Sequence, residues 1–124
     1  EIWGSGKPMR EFLWSEDMAD ACVFIMQNKN FKDLVTLSAV EGSLPPEIRN
    51  THINIGTGID ISIANLADLI KQTIGFGGEL VYNTTKPDGT MKKLTDVSKL
   101  HKLGWKHQIE LQEGIEKIYG WYKN

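Results

Sequence analysis

The sequence predicts a small α/β domain with few short strands and about four helices. Four segments carry apolar residues at the i, i+3, i+4 spacing of a helical face, and short runs rich in β-branched residues lie between them. A chain of 124 residues supports one domain with a modest core. We therefore expect one unit over residues 1–124, in the order helix, strand, helix, strand, short helix, helix.

The first two helices are predicted from their caps and apolar faces. The first covers about residues 15–28, with Ser15 as its N-cap. Its inward face is predicted to comprise Met18, Ala21, Cys22, Ile25 and Met26. The second follows Ser62 as cap and stops at Gly75, and its apolar stripe comprises Ile63, Leu66, Ala67, Ile70 and Ile74.

Two further helices are predicted near the end of the chain. A short one lies between its cap, Asp96, and Gly104, with Leu100 and Leu103 turned inward. The last one is amphipathic, and its apolar face comprises Leu111, Ile115, Ile118, Tyr119 and Tyr122.

The remaining segments are predicted as strands and loops. Residues 11–14, 52–55 and 79–82 are typical of short strands. Residues 29–51 show no clean period, so we interpret them mainly as a loop. Within that loop, residues 31–40 are either helical or extended.

Composition excludes several functional classes. The net charge of −2 argues against general affinity for nucleic acid, which needs many cations. No apolar run has the length of a membrane span, and no signal peptide pattern opens the chain. Cys22 is the only cysteine, which precludes an internal disulfide and favours the reducing cytoplasm. On the apolar helix face, Cys22 is interpreted as a small core residue.

Residues 3–13, WGSGKPMREFL, form the first candidate ligand loop. Gly4 and Gly6 remove side chains where a ligand or another backbone approaches. Arg10 is suited to grip a phosphate through two parallel hydrogen bonds, and Trp3 offers a flat face to a sugar or base. The competing interpretation is a turn with a surface arginine, with Trp3 filling a core.

Residues 84–93, TTKPDGTMKK, form a second candidate loop that complements the first. Pro87, Asp88 and Gly89 are turn residues. Around them lie three cations, Lys86, Lys92 and Lys93. Together the loops are suited to a nucleotide, with cations on its phosphates and a carboxylate on its hydroxyls. Considered alone, the second segment is more simply a solvated lysine loop.

Two glycine motifs are weak predictors of phosphate binding. Gly56-Thr57-Gly58 lies between a predicted strand and a helix, but Ile61 stands where a dinucleotide fingerprint needs its third glycine. A connecting loop is the favoured interpretation. The run from Gly4 to Lys7 lacks the glycine spacing of a phosphate loop, and proline follows where Ser or Thr would bind magnesium.

No catalytic or metal site is predicted. His52, His101 and His107 lack metal-ligand spacing with one another or with Cys22. We expect His52 to be partly buried in a strand, and the other two to lie at the surface. The Tyr-x-x-x-Lys spacing occurs at 82–86, which runs into a proline turn, and at 119–123, which ends where a helix frays.

Four ordered blocks together resemble the C-terminal part of GDP-L-fucose synthases, in the extended short-chain dehydrogenase/reductase group. The blocks read WGSGKPMREFL, SEDMADA, HINIGTGIDISI and TKPDGTMKKLTDVSKLHKLGW. The resemblance covers nearly the whole chain, with residues 29–50 least matched. It implies a small C-terminal substrate-binding domain that lacks the Rossmann half.

The resemblance also implies an activity for the complete protein. The family converts GDP-4-keto-6-deoxy-D-mannose to GDP-L-fucose by epimerisation at C3 and C5 and NADPH-dependent reduction. NADPH and the catalytic residues belong to the Rossmann half, so no catalytic, cofactor-binding or metal residue is expected here. The matched positions that are implied to contact the GDP-sugar are Trp3, Arg10, Asp88 and Lys92, with Arg10 toward the diphosphate. A cytoplasmic homodimer, formed through the Rossmann half, is implied as well.

The chain departs from the family pattern in two places. Trp14, Ser15 and Glu16 replace the usual His-Val-Asp, and Met91-Lys92 replaces Pro-Arg. Lys92 keeps the positive charge but loses the planar fork of arginine. Two alternatives therefore stay open: a non-catalytic module that binds a nucleotide sugar or a protein, and a nucleotide-sugar reductase or epimerase specific for another base.

Two expectations concern the chain as an isolated piece. Because it begins at Glu1, close to its candidate ligand loop, we expect it to belong to a longer protein and to be inactive alone. We also expect Ile2, Trp3, Phe12 and Trp14 to mark an interface with the missing half, unless all four are buried within the chain.

Overall fold

The computed structural model describes residues 1–38 and 51–124. The elements in this part of the chain are β1 (Ile2–Trp3), β2 (Met9–Glu11), α1 (Ser15–Asn28), α2 (Phe31–Ser38), β3 (Asp60–Ser62), α3 (Ile63–Ile74), β4 (Tyr82–Asn83), β5 (Lys92–Lys93), α4 (Ser98–Leu103) and α5 (Leu111–Lys123). The small α/β fold with few short strands is confirmed. Its four predicted helices are present, and α2 adds a helix where the sequence left helical and extended structure open.

Two small sheets place the candidate loops side by side. Strand β1 pairs in parallel with β4, and β2 lies between antiparallel β3 and parallel β5. In the second sheet, Arg10 is opposite Ile61 on one side and Lys93 on the other. Successive side chains of a strand point to opposite faces. Arg10 and Lys93 therefore share one face, and Glu11 belongs to the other.

Helix α1 has the predicted bounds, but only Ala21 and Ile25 of its predicted inward face belong to or contact the core. Ala21 is fully buried and Phe24 packs against the core, whereas Cys22, Met18 and Met26 are exposed. The rotation follows from polar contacts that periodicity does not reveal. The Asp17 carboxylate, 5% exposed, accepts backbone N–H bonds from Gln108 and Ile109, while Asp20 accepts the indole N–H of Trp105. Cys22 is thus not a core residue.

The predicted caps are right for one helix and wrong for two. Ser62 Oγ accepts the Asn65 N–H at 3.1 Å, and Gly75 ends α3 with φ of 69°. The N-cap of α1 is Trp14, with no side-chain cap bond, because Ser15 already lies inside the helix. Val97 is the N-cap of α4, and Asp96 instead accepts the Ser98 N–H at 2.9 Å.

The core lies where α1 meets the end of α4. Ala21, Leu100 and Trp105 form its centre, with partly buried apolar neighbours Leu13, Phe24, Ile25, Ile53 and Ile55. The predicted inward positions Leu100 and Leu103 are confirmed. In α5, Ile118 and Tyr122 are exposed, contrary to the predicted apolar face.

The strand predictions were less accurate. Of the predicted strands, 11–14 overlaps β2 only at Glu11 and 79–82 overlaps β4 only at Tyr82, while β1, β3 and β5 were not predicted. Residues 52–55 form no strand; the Asn54 side chain donates to the Asp96 carbonyl, and His52 is exposed. His101 and His107 are half-buried, contrary to the surface prediction. Most of the predicted loop 29–51, namely 39–50, lies outside the described residues.

Candidate functional site

The two candidate loops contact each other directly. Ser5 donates twice to the Asp88 carboxylate, from its backbone N–H to Oδ1 at 2.8 Å and from its hydroxyl to Oδ2 at 2.6 Å. Gly4, with φ of 82°, donates its N–H to the Asn83 carbonyl at 2.9 Å and leaves no room for a Cβ beside Asp88. The first loop therefore lies against the turn that sequence reasoning paired with it.

Helix α3 holds the first loop from the other side. Its first N–H groups, on Ile63 and Ala64, donate to the carbonyls of Pro8 and Gly6 at 3.0 and 2.9 Å. These are the groups that a helix start leaves without an intrahelical partner. The first loop is therefore held by hydrogen bonds to α3 on one side and to Asp88 on the other.

Arg10 is oriented by backbone carbonyls. Its Nη1 donates to Met9 O and Thr90 O, both at 2.6 Å. A Cβ placed on Gly89 would lie 3.1 Å from Nη2, so the glycine leaves space beside that nitrogen. A guanidinium carries five N–H donors, and only Nη1 is engaged among the described residues. The Nη2 and Nε donors remain for a ligand.

A surface arginine in this position could instead pair with the nearby acids Glu11, Glu16 or Asp17, but the geometry does not fit such a pair. Glu11 binds residues 57, 58 and 95, Glu16 accepts the Trp14 indole N–H, and Asp17 binds Gln108 and Ile109. Arg10 forms no ion pair with any residue that the structure describes. It is a guanidinium with free donors beside the turn.

Trp3 is 69% exposed and does not fill a core. The ammonium of Lys86 lies 5.1 Å from its ring centroid, within cation–π range. Trp3 thus lies beside the second loop, like Ser5 and Arg10.

Asp88 is exposed to solvent, and the hydrogen bonds from Ser5 stabilise its charged carboxylate. The hydrogen bonds from the hydroxyl and the N–H of Ser5, followed by the charge of Lys7, lower the pKa of Asp88. Both carboxylate oxygens are engaged by Ser5 here. The contact of Asp88 with ligand hydroxyls stays a prediction.

The register turns Lys92 away from Arg10. Lys92 is opposite Met9, on the sheet face that also carries Asp60, and its Nζ lies 3.3 Å from Asp60 Oδ2. Lys93 is the lysine directly opposite Arg10. A ligand contact by Lys92 stays a prediction, and sequence reasoning gave no means of separating the two lysines.

Glu11 is a residue that sequence reasoning missed. Its Oε1 accepts the N–H groups of Thr57 and Gly58, both at 2.6 Å, and Oε2 accepts the Thr95 N–H at 3.2 Å. Burial raises the pKa of Glu11, but hydrogen bonds from Thr95, Gly58 and Thr57 lower it by more, so it lies below its ordinary value. Successive backbone N–H groups of a glycine-rich turn can bind an anion, so the Gly56–Gly58 motif was the sequence feature that could have pointed to an internal carboxylate.

The backbone N–H groups of the Gly56–Gly58 turn therefore bind a carboxylate of the same chain. A Cβ on Gly56 would lie 2.5 Å from Glu11 Oε1. The glycine keeps the backbone close to this carboxylate, as expected for a connecting loop.

An apolar groove lies next to the first loop. It has a volume of about 230 Å³ and lies between the segment after β2 and helices α3 and α5. Phe12 and Trp14 line it, with Ile70 and Ile118 opposite. None of Ile2, Trp3, Phe12 and Trp14 is fully buried. That they mark an interface stays a prediction.

Residues 1–38 and 51–124 contain neither a candidate metal site nor a candidate membrane span. No group of three His, Cys, Asp or Glu side chains in this part is arranged to hold a metal ion. None of its helices has the length and apolar character needed to cross a bilayer.

Comparison with known proteins identifies the relatives of the chain. Residues 1–56 match the NAD dependent epimerase/dehydratase family. The GDP-L-fucose synthase of Escherichia coli is 43% identical over 121 residues, which cover 98% of this chain and 35% of the relative. The resemblance to GDP-L-fucose synthases is confirmed. The chain spans about a third of the length of the curated relatives that it matches.

Two solved structures from Campylobacter jejuni extend the comparison. A GDP-6-OMe-4-keto-L-xylo-heptose reductase is 53% identical, with a TM-score of 0.86 over 98% of this chain and 33% of that one. A GDP-D-glycero-L-gluco-heptose synthase, solved in the presence of NADPH, is 51% identical, with a TM-score of 0.84 over 99% and 32%. The relatives of this chain thus include GDP-L-fucose synthases and enzymes of GDP-heptoses.

Proposed function

We propose that residues 1–124 are the C-terminal GDP-sugar-binding domain of an NADPH-dependent epimerase/reductase. The first candidate is GDP-L-fucose synthase, which converts GDP-4-keto-6-deoxy-D-mannose to GDP-L-fucose. The observation that carries the proposal is Arg10, whose guanidinium is oriented by two carbonyls while Nη2 and Nε have no partner among the described residues. In the complete enzyme, the Rossmann half would bring NADPH and the catalytic groups.

The geometry supports a binding role for each of three side chains. Arg10 makes a bidentate contact with the diphosphate, because a guanidinium fork matches two phosphate oxygens. Lys93, opposite Arg10 on the same sheet face, adds a second positive charge. Trp3 presents its exposed ring to the sugar or base. We further propose that the complete enzyme is a cytoplasmic homodimer formed through the Rossmann half.

A second candidate is a reductase of a GDP-keto-heptose. The two C. jejuni structures are 53% and 51% identical, compared with 43% for the E. coli GDP-L-fucose synthase. The complete enzyme should be supplied with NADPH and either GDP-4-keto-6-deoxy-D-mannose or a GDP-4-keto-heptose. Faster turnover of the deoxymannose supports the first candidate, and faster turnover of the heptose supports the second.

The isolated chain should oxidise no NADPH when supplied with the keto-sugar. The physical reason is that the Tyr-Lys spacings in the sequence do not form a working pair. Tyr82 lies in β4 and is followed by the Pro87 turn, and Lys123 is the last helical residue of α5. The assay follows absorbance of NADPH, with the complete enzyme as positive control. Turnover by residues 1–124 alone would contradict the proposal.

Base specificity separates this proposal from an enzyme of another nucleotide. The complete enzyme should bind GDP more tightly than UDP in calorimetric titration. Tighter binding of UDP would favour the rival reductase or epimerase, and binding of neither would favour a protein-binding module.

A further inference from the structure

In addition to the β2–β5 pairing and the Met9 N–H bond to the Met91 carbonyl, three side-chain contacts join the two loops of the proposed site. The Lys86 ammonium lies over the Trp3 ring, Ser5 donates hydrogen bonds to the Asp88 carboxylate, and Arg10 donates one to the Thr90 carbonyl. The central contact, between Ser5 and Asp88, uses both oxygens of the Asp88 carboxylate. It lies between the aromatic and cationic groups proposed to bind the ligand.

Ser5 is suited to fix its partner because it bonds on both sides. Its hydroxyl donates to Asp88 and accepts the Lys7 N–H at 3.2 Å, which closes a local turn. The flanking glycines have φ of 82° and 74°, a region that favours glycine. The backbone on both sides of Ser5 is held by the Gly4 N–H bond to the Asn83 carbonyl and the Ala64 N–H bond to the Gly6 carbonyl, and the hydroxyl points at Asp88.

We propose that Ser5 is a positioning residue of the GDP-sugar site and that it acts through Asp88. It holds the turn of residues 87–90 against the first loop, so that Arg10 and Trp3 meet the ligand without a loop rearrangement. Preorganised groups bind more tightly because less freedom is lost on binding. The inference rests on the proposed function and names a residue that the family resemblance did not assign to the ligand.

The test is a double-mutant cycle in the complete enzyme, with GDP as the titrated probe. Ser5→Ala should weaken GDP binding about five- to tenfold, less than the roughly tenfold to hundredfold of a lost hydrogen bond to a charged group, because the backbone N–H at position 5 still donates to Asp88. In an Asp88→Ala background, Ser5→Ala should cause no further loss, because the partner of its hydroxyl is already gone. Ser5→Thr keeps the hydroxyl and should restore most of the affinity.

Two controls separate positioning from general damage. NADPH affinity should stay at the wild-type value in Ser5→Ala, because the loop does not belong to the cofactor site. Ser15→Ala removes an exposed serine hydroxyl at the start of α1 and should leave GDP binding unchanged.

The outcomes are distinguishable. A wild-type enzyme that binds no GDP overturns the proposed function, and the role of Ser5 with it. A wild-type enzyme that binds GDP, together with an unchanged affinity of Ser5→Ala, overturns the role of Ser5 alone. Equal losses on Ser5→Ala in both backgrounds also overturn it, since Ser5 would then act independently of Asp88.

Discussion

Arg10→Ala should weaken binding of the GDP-sugar to the complete enzyme by about tenfold to hundredfold, because a charge-assisted hydrogen bond to phosphate contributes roughly 1.5–3 kcal/mol. NADPH affinity should change little. Arg10→Lys should recover only part of the loss, because an ammonium cannot form the planar bidentate contact. Calorimetric titration of both ligands measures the difference.

The structure adds a complication that the Arg10 experiment must address. Nη1 also bonds the Thr90 carbonyl, so Arg10→Ala releases the turn as well as the phosphate contact. Lys106→Ala provides a matched control, because it removes one positive charge from an exposed side chain outside the loops. An unchanged affinity for the GDP-sugar in Arg10→Ala would remove Arg10 from the site.

Glu11→Ala should lower the free energy of unfolding by about 2–4 kcal/mol, since it leaves several backbone donors without their charged acceptor. Those donors belong to the turn before β3 and to the segment after β5, so Glu11 connects all three strands of its sheet. Glu11→Gln should recover part of the loss, because one amide oxygen still accepts. Urea unfolding measures the change in the free energy of unfolding. Faster hydrogen exchange of the Thr57 and Gly58 backbone N–H groups would show that the loss arises at this turn.

Glu113→Gln is the matched control for the stability experiment. Glu113 forms an exposed i,i+4 pair with Lys117 at 3.3 Å. Such a pair contributes about 0.3–0.5 kcal/mol. If Glu11→Ala were as mild as this control, Glu11 would not organise the sheet.

The same carboxylate makes stability depend on pH. The pKa of Glu11 is lower in the folded protein, where Thr95, Gly58 and Thr57 donate to the charged form. Its contribution is therefore fully present above the unfolded-state pKa and is lost as pH falls through the lower folded-state value. In acid titrations of stability, Glu11→Gln should show a shallower fall over that window. An identical fall would assign the acid sensitivity to other groups.

The sequence was most informative where structure depends on local periodicity. Helices α1, α3, α4 and α5 repeat apolar residues along one stretch of chain, so their existence could be predicted. Their caps and inward faces were harder, because Asp17 and Asp20 bind residues about 90 positions away. Strands of two or three residues are specified by their partners and carry almost no pattern of their own.

The candidate site shows the same division. The composition of the two loops was sufficient to pair them, and the structure brings Trp3, Arg10 and Asp88 to one turn. The roles of single residues were not predictable. Ladder register decides that Lys93, not Lys92, shares the face of Arg10, and a register cannot be read from a run of lysines.

A crystal structure of the complete enzyme with GDP tests the central claim most directly. We expect the diphosphate within hydrogen-bond distance of Arg10, on the side of Nη2 and Nε, with Ser5 at the Asp88 turn beside it. Nucleotide bound away from residues 3–10 and 86–93, with Arg10 bonded only to the carbonyls of Met9 and Thr90, would contradict the assignment of this domain as the GDP-sugar site.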